Sequence, residues 1–251
     1  MHNKTISNNT NRREFIKYST LGIFGLFCSL GYALSSQLQI QHHYLRPPGA
    51  LKESDFLALC IKCGQCVQSC PYETLNLLDI AQGHNLGTPF VEALQRGCYL
   101  CETLPCIEAC PTNALAKETQ TVQDVAMGIA VFKYAHKCIG ISAETVTRKD
   151  IQRVYAHSSN KNNEERVILK ELETYIGQSC SICADMCPYP NSNLAIEMIE
   201  DKSNNGKKPQ INSKCVGCGV CAELCPTQAL IIEPKLSYEA YYIKGLRNTP
   251  L

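Results

Sequence analysis

Sixteen of the chain's seventeen cysteines fall in four runs, and every run ends in Cys-x3-Cys-Pro. The runs are Cys60-x2-Cys63-x2-Cys66-x3-Cys70-Pro71, Cys98-x2-Cys101-x4-Cys106-x3-Cys110-Pro111, Cys138-x41-Cys180-x2-Cys183-x3-Cys187-Pro188 and Cys215-x2-Cys218-x2-Cys221-x3-Cys225-Pro226. Thiolates are soft ligands. Three on one tight loop and a fourth about one helical turn further on suit the corners of an iron–sulfur cube. At four thiolates per cube the sixteen cysteines supply four [4Fe–4S] clusters, and Cys28 is left over.

The first and last runs have the bacterial ferredoxin spacing, in which three thiolates hold one cube and the fourth reaches across to its neighbour. Gly64, Gly217 and Gly219 lie inside these loops, where a small residue lets the backbone come close to the cofactor. Ile61, Val67, Val216 and Leu224, placed between the cysteines, are expected to keep water away. The proline after each fourth cysteine stops the helical turn. Zinc sites also use Cys-x2-Cys pairs, but they close with two pairs instead of three cysteines in a row plus one. A disulfide framework gives no reason for four repeats with a proline after the last cysteine, and cysteines so close on a tight loop are poor disulfide partners. A zinc-binding or disulfide-bonded structural or assembly protein is therefore the weaker reading.

The elements that position these runs read as strand, cysteine loop, short helix and strand, repeated four times. Cys110-Pro111-Thr112-Asn113-Ala114-Leu115 recurs as Cys225-Pro226-Thr227-Gln228-Ala229-Leu230, and Leu194-Ala195-Ile196-Glu197 echoes it. The repeats are expected at residues 46–81, 88–120, 130–200 and 206–236, and Ala229-Leu230-Ile231-Ile232 is the clearest returning strand. An insert at 139–179 interrupts the third repeat. It holds a polar loop, Ser158 to Asn163, and a helical stripe of Ile168, Leu172, Tyr175 and Ile176 that Gly177 ends. That stripe is read as a face packed on the cluster core rather than as a docking surface. The tail, 237–251, carries Tyr238, Tyr241 and Tyr242 as a strap or a loosely held end. The fold class is thus α+β, with two tandem or nested two-cluster ferredoxin-like modules stabilised as much by cofactor as by apolar core. Between Cys60 and Cys225 nearly one residue in ten is cysteine, and the chain has no Trp and six Phe.

Residues 1–45 read as a targeting segment. Asn11-Arg12-Arg13-Glu14-Phe15-Ile16-Lys17 resembles the twin-arginine export signal, and a modestly apolar stretch from Leu21 to Leu34 follows it. That stretch has signal-peptide length and is short of the roughly 20 residues of a membrane span. Ala33-Leu34-Ser35 offers a cleavage point; alternatively the segment stays as an anchor. Export of a folded protein suits a cofactor inserted before the membrane is crossed, so a periplasmic location at the inner-membrane face is expected. The net charge of +1 becomes −2 without residues 1–35 (20 basic against 22 acidic groups), and no basic stripe points to nucleic acid.

No phosphate-binding Gly-rich loop, His-Glu-x-x-His, Gly-x-Ser-x-Gly or Cys-x2-Cys-His site occurs, so an electron carrier without a substrate site is expected, not an enzyme. His136, beside Cys138, reads as a solvated histidine. The chain resembles the ferredoxin-type NapG/MauM proteins, most closely the NapG type. The resemblance rests on the twin-arginine start, Arg46-Pro47-Pro48-Gly49-Ala50-Leu51, Cys60 to Cys66, Cys98 to Pro111, Cys180 to Pro188 and Lys214 to Leu230. The forty-one residues between Cys138 and Cys180 depart from it. It implies electron relay from a membrane quinol-oxidising iron–sulfur protein of the NapH type towards periplasmic nitrate reductase and its small cytochrome. The alternative is a subunit serving another exported molybdoenzyme or an amine-oxidising system.

The two regular runs share one spacing, which favours a nested pairing. The first run would exchange its fourth cysteine with the fourth run (Cys225 joining Cys60, Cys70 joining Cys215), and the second with the third. Sequential pairing, first with second and third with fourth, is the rival that short connections favour.

Overall fold

Each cysteine run closes on one short helical turn. A computed structural model describes residues 43–157, 163–201 and 205–245. The twin-arginine segment, Cys28, most of the polar loop that starts at Ser158 and the end of the tail lie outside the described residues. Helix α1 spans Glu53–Leu59 and leads into the first run. Four-residue helices then carry the third cysteine of each run: α2 Gln65–Gln68, α3 Pro105–Glu108, and further on Ile182–Asp185 and Val220–Glu223. The Cys-x3-Cys step is the one turn that follows, and the proline ends it.

Strands link the runs in a regular order. Strand β1 (Leu75–Leu77) follows the first run and pairs antiparallel with β2 (Pro89–Val91), which precedes the second. The segment before the first run meets the segment after the second at the Ala50–Leu115 bridge. The second half repeats this scheme at greater length. Strand β3 (Gly128–Phe132) precedes the third run and pairs with β6 (Leu230–Pro234), which follows the fourth, from Gly128 opposite Pro234 to Phe132 opposite Leu230. Between them β4 (Ile196–Asp201) and β5 (Gly206–Ile211) form a hairpin. The expected strand at Ala229–Ile232 is therefore present as β6, and it starts one residue later.

The insert is a closed excursion. Thr145 bridges Ser179, the Val146 N–H donates to the Gln178 carbonyl at 2.9 Å, and the Gly177 N–H donates back to Val146 at 2.8 Å. This stem brings the chain back beside Cys138 after forty-one residues. Helices α4 (Arg148–His157) and α5 (Asn163–Leu172) lie beyond it. Helix α4 was not expected; Thr147 precedes it, and its hydroxyl and N–H both donate to the Asp150 carboxylate at 2.5 and 2.8 Å. Val146, Ile151, Val154, Leu169 and Leu172 are buried in the same core as Phe56, Leu115 and Leu224. This agrees with the packing reading of the stripe. The four-residue helices at 182–185, 192–195 and 220–223 complete the set as α6, α7 and α8.

The tail is held through Tyr242. The Tyr242 hydroxyl donates to the Ala130 carbonyl on β3 at 3.0 Å, and the Tyr238 ring stands 5.1 Å from that of Tyr242. Among the described residues, no helix is long and apolar enough to cross a membrane.

Candidate metal centres

Four cavities of nearly equal size, each with about 340 to 360 Å3 of atom-free space, are lined by four cysteines apiece. Site 1 gathers Cys60, Cys63, Cys66 and Cys110; site 2 gathers Cys98, Cys101, Cys106 and Cys70. Site 3 gathers Cys138, Cys180, Cys183 and Cys225; site 4 gathers Cys215, Cys218, Cys221 and Cys187. All sixteen cysteines of the runs are thus placed, and each cavity takes three from one run and the fourth of another. The exchange is sequential, so the nested expectation is corrected: Cys70 stands with Cys98, not with Cys215, and Cys225 stands with Cys138, not with Cys60. The β1–β2 and β4–β5 hairpins decide this, because each folds one run back on the next before the chain can travel further.

Other lining is almost entirely apolar, for example Phe56 and Leu115 at site 1 and Ile182 and Leu230 at site 3. Val216 and Leu224 are buried as expected, whereas Ile61 lines site 1 but is itself 63% exposed. Cys63 beside it is the one exposed cysteine among the described residues. His136 is exposed, as the solvated reading required.

The backbone turns its N–H groups toward sulfur. Thr74 donates to Cys70 Sγ at 3.4 Å, Ala229 to Cys225 Sγ at 3.3 Å and Ala130 to Cys215 Sγ at 3.5 Å. Left-handed residues make these turns possible, and they recur at matching places. Lys62, Leu100 and Gly217 precede the second cysteine, and Glu73, Asn113 and Gln228 lie three residues after the fourth. At Gly217, φ is +70° and a Cβ would stand 2.3 Å from the Gly128 carbonyl carbon, so the position needs glycine for both conformation and space.

Burial disfavours a bare thiolate in these cavities. It pushes the Cys66 thiol up to about 11 and those of Cys106 and Cys180 up to about 12. Cys183, Cys218 and Cys221 lie well above the ordinary thiol value for the same reason, with neighbouring cysteines adding to it. Cys110 goes the other way. Burial raises it, but the N–H groups of Leu115, Thr112 and Ala114 and the Thr112 hydroxyl together outweigh that and lower it. A site of crowded, dry thiols holds its protons unless cationic metal replaces them. Yet among the described residues no three Cys, His, Asp or Glu side chains converge closely enough to hold a single ion. The four cysteines of each site stand around a space. Soft donors around a dry cavity fit an iron–sulfur cube better than a point charge.

Residues 59–114 and 178–229 match the 4Fe-4S dicluster domain family. Over longer stretches the chain is 33% identical to the methylamine utilization ferredoxin-type protein MauM of Methylorubrum extorquens, across 80% of this chain and 78% of the relative. It is 31% identical to the ferredoxin-type protein NapG of Escherichia coli, across 85% and 80%. This chain belongs to the NapG/MauM family of ferredoxin-type proteins. Haemophilus influenzae NapG is a further relative, 28% identical over 90% of this chain. No solved structure matches. Both dicluster matches join a run to its sequential neighbour, as the cavities do.

Several polar groups of this NapG/MauM-type chain are buried, and of these only Arg46 stood in a stretch that the sequence reading used. Arg46, Arg96 and Glu223 are all less than 5% exposed. Arg46 opens the Arg-Pro-Pro-Gly lead and is held by Glu53, Asn85, Thr88 and the Pro89 carbonyl, between the rings of Tyr44 and Phe56. Glu223 had one signal, its place among the apolar residues of a cysteine run.

Proposed function

We propose that the chain is a non-catalytic electron carrier with one [4Fe–4S] cluster in each of the four sites, sites 1 and 2 forming one ferredoxin-like module and sites 3 and 4 a second in tandem. The observation that carries this reading is the grouping of cysteines three plus one around four matching cavities. The two dicluster matches support it, and three thiolates from one run with a fourth from another differ from the two closed pairs of a zinc site. Bound clusters would supply one-electron oxidation and reduction. The chain's own part is to present sixteen thiolates, exclude water with Phe56, Leu115, Ile182 and Leu230, and aim N–H groups at sulfur. Cys138 takes the first position at site 3 despite its distance in sequence.

The wider role follows from the NapG relatives and from Arg12-Arg13. The protein is exported by the twin-arginine route to the periplasmic face of the inner membrane. It receives electrons from a quinol-oxidising iron–sulfur protein of the NapH type and delivers them towards periplasmic nitrate reductase and its small cytochrome. The similarity to MauM favours a second reading, service to methylamine oxidation.

Iron and acid-labile sulfide analysis after anaerobic purification tests the core of this. About sixteen of each per chain are expected from four cubes; a value near eight, or stoichiometric zinc, would overturn it. Affinity capture from anaerobic membranes separates the two wider roles, through recovery of nitrate reductase or amine-oxidising subunits. A loaded chain found only in the cytoplasm would overturn export.

A further inference from the structure

The two halves meet where site 2 comes against site 4. The Cys98 N–H donates to the Cys218 carbonyl at 2.7 Å. Gly97 packs so tightly there that a Cβ on it would stand 2.4 Å from the Val220 nitrogen. Into this junction α8 extends Glu223, 1% exposed, whose Oε2 accepts from the Gly97 N–H at 2.7 Å and from the Tyr99 hydroxyl at 3.1 Å. Tyr99 in turn stacks on Tyr72 at 4.6 Å, and both rings line site 2. The acid thus lies on a helix of site 4 and binds the loop of site 2.

A carboxylate only accepts, and a buried one is retained when donors are aimed at it. Arg96, which precedes Gly97 in sequence, is buried as well. In a dry interior such a charge is screened weakly. Negative charge beside a redox centre favours its oxidised form. Among the described residues no carboxylate lines sites 1 and 3, where the lining beyond the cysteines is apolar except for Lys62, Gly64 and two threonines, and the buried Asp150, whose charge bears on Cys180 of site 3, is paired with Arg153 at 2.7 Å.

We propose that Glu223 is a positioning residue that fixes the site 2 loop against the site 4 helix and whose carboxylate sets the reduction potentials of these two sites, and not those of sites 1 and 3. The inference rests on the four-cluster reading and concerns what this chain adds to it. Glu223→Gln keeps the shape and an acceptor oxygen for Gly97 but removes the charge. Tyr99→Phe keeps the charge and removes one donor that compensates it. The two changes must therefore act with opposite signs.

The test is an anaerobic redox titration of the loaded full-length protein followed by paramagnetic resonance, with Cys98→Ser and Cys218→Ser marking the signals of sites 2 and 4. Glu223→Gln is expected to move those two signals to higher potential, Tyr99→Phe to move them lower, and both to leave the other two in place. Unmoved signals, four signals shifted alike, or shifts of the same sign in both variants overturn the proposal. If Glu223→Gln does not load iron, Tyr99→Phe alone decides, by a downward shift of two signals or none. A wild-type protein without four cubes would sink the earlier reading together with this one, whereas four cubes with unmoved potentials sinks this one alone.

Discussion

Arg46 and Glu53 are joined by two hydrogen bonds, Nη2 to Oε1 at 2.5 Å and Nε to Oε2 at 3.2 Å. Lys235, just past β6, reaches the same Oε2 at 2.8 Å. One carboxylate therefore ties the lead into the first run to the strand that leaves the fourth. Burial would raise the Glu53 pKa, but the hydrogen bonds from Arg46 and Lys235 outweigh it, and the carboxyl is held below its ordinary 4.5. A depressed folded-state value means stability that is present above that ordinary value and lost as pH falls through the folded one. Glu53→Gln should destabilise the loaded protein by about 1.5 to 3 kcal/mol at pH 7, the range for hydrogen bonds to charged groups. The gap to wild type should narrow as pH drops below 4.5. Denaturant titrations at several pH values check this, and a pH-independent gap would count against the linkage.

That the sixteen cysteines gather three plus one was legible in the sequence because it is carried by spacing, and spacing survives any arrangement of the rest. The pairing was misread although a signal was present. Cys70 to Cys98 and Cys187 to Cys215 are both separated by twenty-seven residues, the length that holds one hairpin in each half. Shared spacing of the first and last runs drew attention away from it. The excursion between Cys138 and Cys180 hid the repeat further, since its stem at Thr145 and Ser179 restores the geometry only in three dimensions. Helix α4 was missed for a different reason: a Thr147–Asp150 cap is a local signal that a polar stretch conceals. The junction at Gly97 and Glu223 depends on contacts over more than 120 positions and had no pattern to announce it.

Sequential exchange predicts which serine variants disturb the same centre. Cys70→Ser and Cys101→Ser should alter one and the same resonance signal, and Cys110→Ser should alter the one that Cys60→Ser alters. The nested scheme would instead link Cys70 with Cys215. Spectra of the four variants, each compared with wild type at equal protein concentration, separate the two schemes.

Cys138 lines site 3 with Cys180, Cys183 and Cys225, and burial holds its thiol above the ordinary value. The stem explains how a distant residue can serve at small cost, since loop closure rises by only about 0.6 kcal/mol per doubling of length. Cys138→Ala should lose one cluster or convert it to a three-iron form. Full iron content together with an unchanged resonance spectrum would remove Cys138 from the ligand set.

Gly217 and Gly64 separate conformation from space. Both are left-handed, with φ of +70° and +73°. A Cβ at Gly64 meets nothing within 4 Å, whereas at Gly217 it stands 2.3 Å from the Gly128 carbonyl carbon and 2.5 Å from its oxygen. Gly64→Ala therefore carries only the backbone term, about 1 to 2 kcal/mol for one residue held in the left-handed region, and should keep its iron. Gly217→Ala must also push the site 4 loop off β3, against the Met127 N–H that donates to the Val216 carbonyl at 3.0 Å. It should lose the site 4 cluster selectively, about a quarter of the iron if four cubes of equal content are present. Iron analysis of the two variants side by side is the check. Equal retention in both would mean that the close approach of the loop to β3 does not govern the site.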